Sequence, residues 1–309
     1  MENAGSLAYT GRIHHNERAA HAAGPPFGDT SIMTPAAPVP APTLAIDTHA
    51  HVFHRDLAME AGRRYTPDHD AALPAYLAHL DRAGLSHGVL VQPSFLGYDN
   101  RYLIDALHTA PTRLRGVAVV APETPVDALR EMDRAGVVGI RLNLFGRDLP
   151  DFRSGAWIAL LDRVNALGWH VEVHQRAADL PHVLAPLRAA GCRVVVDHFG
   201  RPDPREGVDD PGFAYLLTQA ASGQVWVKLS AAYRNWQGDE AAAQSAHAAR
   251  LLLGAFGADR LVWGSDWPHT EHREMTDFET CRQQLDDWIT PAAERRAILG
   301  ATAAHLFKI

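Results

Sequence analysis

A (β/α)8 barrel of the TIM type is the fold class this sequence predicts, and three observations predict it. From residue 44 onward, short β-branched runs alternate with longer Ala/Leu-rich stretches of helical periodicity. From the second run onward the starts lie about 24 to 36 residues apart, the length of one βα unit. The runs are apolar on both faces, as buried parallel strands should be. A doubly wound open sheet is the rival, but the chain carries neither the GxGxxG nor the P-loop signal expected at its switch point.

The strands expected in order are Leu44–Thr48, Gly88–Gln92, Arg115–Val120, Gly139–Leu144, Trp169–His174, Arg193–Asp197, Val225–Leu229 and Leu261–Ser265. Between them lie helical stretches such as LPAYLAHLDRAG, TPVDALREMDRAG, SGAWIALLDRVNALG and LPHVLAPLRAAG. Three of these close on RAG or ALG, placing glycine where a helix C-terminus needs a left-handed residue. Residues 1–42, rich in Ala, Pro, Gly and His, have no sustained periodicity and read as a disordered leader to a barrel over 43–309. Met33 is an alternative start, and His14–His15 in this leader reads as a solvated pair.

The chain has 309 residues, 47% hydrophobic and 21% charged, with a formal net charge of -7. That balance gives no basic field for nucleic acid, although local arginines can still hold small anions. No apolar stretch is long enough to span a membrane, and no signal-peptide pattern opens the chain. Cys192 and Cys281 stand far apart and form no CxxC pair, which fits a reducing cytoplasm. Oligomeric state is not readable from this pattern.

In a barrel of this kind, catalytic groups belong at the C-terminal ends of strands. The first strand runs into His49 and His51, two residues apart and so on one side of an extended chain. His174 ends the fifth strand, Asp197 and His198 the sixth, and Asp266 the eighth, with His269 beyond it. Arg141 and Arg147 follow from the fourth strand, and Lys228, Tyr233 and Arg234 from the seventh. Imidazoles and a carboxylate suit Zn or a similar ion, so His49, His51, His174 and Asp266 are candidate ligands. Asp266 could also take a proton from water, and His198 could polarise a carbonyl. His54 reads as loop surface. Residues 52–70 read as a long loop over the barrel mouth, either a partial lid carrying Arg63, Arg64 and Tyr65 or plain surface.

The motifs DTHAHVF, VLVQPS, YDNRYLIDAL, RGVAVV, GIRLN, DHFGRP, VKLSAAYR and GSDWPH together resemble the amidohydrolase superfamily. Within it they are most similar to the lactone hydrolases of the 2-pyrone-4,6-dicarboxylate, sulfomuconolactone and sugar-lactone type. The resemblance implies a (β/α)8 hydrolase that opens a small anionic lactone. By motif, Asp266 would be the base that activates water, with His49, His51 and His198 around the water and the carbonyl. Arg141, Arg147 and Arg234, with Tyr233, would bind carboxylate or sulfonate groups, a task suited to the guanidinium fork. The pyrone-dicarboxylate relatives are taken to work without metal and to lack a fifth-strand histidine. His174 departs from them, so one divalent ion, Zn by ligand type, is expected here, with a metal-free mechanism as the alternative. A nonoxidative decarboxylase of an aromatic or muconate-type acid, and a non-catalytic binding barrel, are the other functional readings.

Overall fold

The computed structural model describes residues 44–309. The leader expected over residues 1–42, with Met33, His14 and His15, lies outside the described residues. Eight strands stand in sequence order in one sheet: β1 Ile46–Ala50, β2 His87–Val91, β3 Leu114–Ala118, β4 Val137–Asn143, β5 His170–His174, β6 Arg193–Val196, β7 Val225–Leu229 and β8 Leu261–Trp263. Every neighbouring pair from β1–β2 to β7–β8 is parallel. The (β/α)8 barrel expected from the sequence is therefore observed.

Helices α1 Leu73–Arg82, α2 Arg101–Thr109, α3 Val126–Ala135, α4 Gly155–Ala166, α5 Leu180–Ala189, α6 Pro211–Thr218, α7 Ala241–Phe256 and α8 Phe278–Trp288 fill the connections. Each lays an apolar stripe on the sheet, as α4 does with Leu160, Leu161 and Val164. The RAG ending is used as expected: Gly136 closes α3 at φ 103°, a conformation that other residues reach only with strain. Two short helices, α9 Ala292–Arg296 and α10 Thr302–Phe307, finish the chain. Leu306 and Phe307 of α10 pack with Ile46, Val89, Val117, Val195 and Val262 of the strands.

The barrel seam between β1 and β8 differs from the sequence expectation. β1 begins two residues later than predicted and β8 stops at Trp263 rather than Ser265. The ladder is broken on purpose-specific chemistry. The Ser265 backbone N–H and hydroxyl donate to the buried Asp47 carboxylate at 2.8 and 2.6 Å. Closure resumes one step on, where Asp266 N–H donates to the His49 carbonyl and His51 N–H to that of Trp267. Gly264 permits this approach, because a Cβ there would lie 2.5 Å from Cβ of His49.

A second difference concerns the barrel interior, which the sequence suggested would be apolar. Inward positions of β5 are His170, Glu172 and His174, alternating with Val171 and Val173 in the outer core. Glu172 meets Lys228 of β7 at 2.5 Å, and both are completely buried. Alternation in the HVEVH run carried this signal, and the flanking valines concealed it.

Candidate active site

The seam places β1 and the segment after β8 side by side, and three side chains converge there. Nε2 of His49 lies 3.6 Å and Nε2 of His51 3.5 Å from Oδ1 of Asp266. The two rings meet edge to face with centroids 4.9 Å apart. Asp266 and His198 both hold left-handed backbone conformations, at φ 57° and 52°. Such conformations in non-glycine residues store strain and occur preferentially at functional positions.

Asp266 is anchored through its other oxygen. Oδ2 accepts the Tyr233 hydroxyl at 2.5 Å and Nε of Arg234 at 2.8 Å. Burial alone would raise this carboxyl, yet the Arg234 guanidinium beside it outweighs that and holds it well below the usual range. Tyr233 moves the other way, pushed well above its ordinary value by burial and by the Asp266 charge. The structure thus places Tyr233 and Arg234 against the candidate base, with Arg234 also lining the cleft.

His198 ends β6 beside the same centre. Its Nδ1 lies 2.8 Å from the Ser230 hydroxyl, and with that hydroxyl donating, Nε2 carries the ring hydrogen toward the cleft. Burial pushes His198 down to about 3, so the ring is neutral near pH 7. Two nitrogens of Arg141 converge on Oδ2 of Asp197, at 3.0 and 2.9 Å, in a dry site, while Oδ1 is left without a hydrogen-bond partner. Burial opposes the Asp197 charge, but Arg141 and Lys228 together keep its carboxyl well below the ordinary value.

Around these groups lies a cleft of about 510 Å³ whose wall includes His51, Arg64, Tyr65, Arg141, His174, His198, Arg234 and Asp266. Three guanidinium groups therefore face one small volume. Arg64 and Tyr65 bring the 52–70 loop into that wall, whereas Arg63 turns to Thr66 and the Glu60 carbonyl. His54 stays at the surface near Asp70. Arg147, expected near substrate, pairs with Glu60 at 3.0 Å and lines a neighbouring cleft. His174 stacks on Phe145, with centroids 5.4 Å apart and planes 12° off parallel. Arg64, Arg176 and Arg201 surround the same Phe145 ring at 4.8 to 5.3 Å. Arg201, whose Nε is buried with no partner, and Phe145 had no role assigned from the sequence. Only their places after strands hinted at one.

The candidate metal ligands divide. His49, His51 and Asp266 present donor atoms close enough for one ion, while His174 falls outside that set because its ring is drawn flat onto Phe145. By residue type the trio suits a divalent ion such as Zn. Its hydrogens do not fit equally well. His51 Nδ1 sits 2.7 Å from the Val91 carbonyl, which can only accept, so the neutral ring offers a lone pair at Nε2. His49 Nδ1 lies 2.9 Å from the Lys228 ammonium, so that nitrogen accepts and the ring hydrogen falls on Nε2, the atom a metal would need. In this arrangement the residues do not fit a metal ion. A second trio, His49, Asp197 and His198, is crowded by the Lys228 ammonium, 2.9 Å from His49 Nδ1 and 3.5 Å from Asp197 Oδ1.

The amidohydrolase family profile matches residues 46–309. A 2-pyrone-4,6-dicarboxylate hydrolase from Comamonas testosteroni is 35% identical over 265 residues, covering 82% of this chain and 86% of its own. A 4-sulfomuconolactone hydrolase from Hydrogenophaga intermedia is 30% identical, covering 84% and 88% respectively. A crystal structure from Pseudomonas putida, of a proposed 2-pyrone-4,6-dicarboxylic acid hydrolase, is 48% identical. It superposes with a TM-score of 0.81 over 86% of this chain and 98% of that one.

Proposed function

The chain belongs to the amidohydrolase family, and we propose that it hydrolyses the ring ester of a small lactone bearing carboxylate or sulfonate groups. The observation that carries this reading is the meeting of a buried carboxylate edge with three cleft-facing guanidinium groups. Relatives of 30% identity or more that cover at least four fifths of this chain are hydrolases of a pyrone dicarboxylate and a sulfomuconolactone, both cyclic esters with added acid groups.

The polar atoms at the centre complement a water molecule. His49 offers an N–H, while His51 Nε2 and Asp266 Oδ1 offer lone pairs. A water held among them would give one hydrogen to each acceptor and accept from His49, leaving a lone pair for the lactone carbonyl. As the new C–O bond forms, Asp266 Oδ1 takes the proton. His198 Nε2–H faces the carbonyl oxygen and stabilises the charge that develops there. Cleavage of the ring C–O bond then gives a carboxylate and a hydroxyl group, which becomes a ketone where the leaving oxygen is enolic. The net product near neutral pH is one proton per turnover. Arg64, Arg141 and Arg234 hold the acid substituents and aim the ring.

A second reading keeps the expected single Zn ion, favoured by ligand type and by the 3.5–3.6 Å spacing around Asp266 Oδ1. It requires His49 to present a lone pair where its partners now place a hydrogen. No helix among the described residues is long and apolar enough to cross a membrane. Cytoplasmic residence belongs to the same proposal, supported by the two buried, unpaired thiols.

Proton release from a panel of carboxylated, sulfonated and neutral sugar lactones tests the function. Turnover confined to the acid-bearing lactones is expected. Carbon dioxide evolved from aromatic acids, with every lactone untouched, would replace the hydrolase with the decarboxylase.

A further inference from the structure

Beneath the cleft lies a buried charged layer that the proposed reaction does not use directly. Lys228, on β7, is completely buried. Its ammonium reaches three acceptors on three other strands or their ends: Glu172 Oε1 at 2.5 Å, His49 Nδ1 at 2.9 Å and Asp197 Oδ1 at 3.5 Å. Glu172 and His49 each accept a hydrogen bond from it, while Asp197 Oδ1, which has no hydrogen-bond partner, stands opposite as an ion-pair contact.

We infer that Lys228 locks His49 in the Nε2–H tautomer and so denies a metal ion the nitrogen it would need. The argument is one of hydrogen counting. An ammonium has no lone pair, so a nitrogen 2.9 Å from it must accept. A neutral imidazole carries one hydrogen, which then falls on Nε2. The opposite tautomer would set an N–H against the ammonium. Its remaining acceptor, Asp197 Oδ1, stands 3.6 Å from Nδ1, beyond the 2.9 Å at which Lys228 sits and outside hydrogen-bond reach. His49 Nε2 has no hydrogen-bond partner of its own and faces Asp266 Oδ1, so the locked hydrogen points into the catalytic centre.

The consequence is a centre of one donor and two acceptors, the complement of water rather than of a cation. The anchor is itself held: Glu172 is fully buried and takes the Lys228 charge, and Arg141 braces Asp197. Lys228 is a positioning residue, acting through His49 without facing the cleft. The inference concerns the hydrogen on one ring and stands independently of which lactone is cleaved.

Two measurements test it at a fixed pH. Long-range proton–nitrogen NMR of the full chain, with His49 assigned by comparison with His49→Gln, reads the tautomer directly. A protonated Nε2 and an unprotonated Nδ1 are expected, and an Nδ1–H signal for His49 would overturn the inference. The second uses Lys228→Met paired with Glu172→Gln, so that no buried carboxylate is left without its cation. Zn affinity, measured against a competing chromophoric chelator, should rise at least tenfold over the parent. The gain should disappear when Asp266→Asn is added. Equal Zn affinity in the folded double variant and the parent would sink the proposal, and should the variant fail to fold, the tautomer measurement decides alone.

Discussion

Nε of Arg234 donates to Oδ2 of Asp266 at 2.8 Å, which leaves Oδ1 as the free edge of the carboxylate, turned toward His49 and His51. One oxygen is held by the fold and the other is left open. The division explains how a deeply buried carboxylate keeps its charge and still faces the cleft.

Asp266→Asn keeps an oxygen for Tyr233 and Arg234 but removes the proton acceptor. A fall in kcat of about 10²–10⁴-fold is expected, the usual worth of a positioned base. Circular dichroism and melting should stay close to the parent. Undiminished hydrolysis by this variant would remove Asp266 from the reaction.

Arg234→Met acts on the same carboxylate from the other side. Burial raises Asp266, and the Arg234 charge is the largest influence opposing it. Without the guanidinium the carboxyl climbs, so the acid limb of the kcat/KM profile should move to higher pH. An unmoved limb would mean that another group controls it.

Arg64 comes from the 52–70 loop and lines the cleft together with Glu271, whose charge favours the guanidinium. Arg64→Met should raise KM for acid-bearing lactones about tenfold, the scale of one charge-assisted hydrogen bond. KM for a neutral sugar lactone should be unchanged. An equal loss on both would assign Arg64 to loop structure.

Metal removal separates the two readings of the centre. With His49 presenting a hydrogen, turnover should survive exhaustive chelation, with metal content checked by emission spectroscopy. Turnover lost on chelation and restored by Zn would instead favour the Zn-bound form.

Asp47 offers a stability test. It is buried under hydrogen bonds from Ser265, the His49 backbone and Tyr76, and burial still raises it to about 6. The folded value lies above the ordinary 3.8, so its charge opposes folding above about pH 6 and the penalty fades as pH falls toward 4. Tyr76→Phe removes one donor from that charge. Urea unfolding should show a loss of about 1.5–3 kcal/mol at pH 8 and a smaller loss at pH 5. A larger loss at pH 5 would contradict the assignment.

Much of this was legible in the chain. Periodicity set the element order because apolar spacing follows secondary structure directly. The strand-end rule pointed to His49, His51, His198 and Asp266 because a barrel exposes those ends to one mouth. The boundaries at the seam were not legible, since Gly264 and Ser265 owe their conformation to Asp47 and His49, more than 200 residues away.

Sequence by itself determined the barrel, the family resemblance and the residue types at the rim. Tertiary structure alone decided their partners. It turned Arg234 and Tyr233 onto Asp266, sent Arg147 to Glu60, laid His174 against Phe145 and brought Lys228 beneath His49. The reason is physical. Spacing along a strand fixes which side a residue faces, but a hydrogen bond is fixed by distances between strands. The hydrogen on His49 depends on a lysine 179 positions further along the chain.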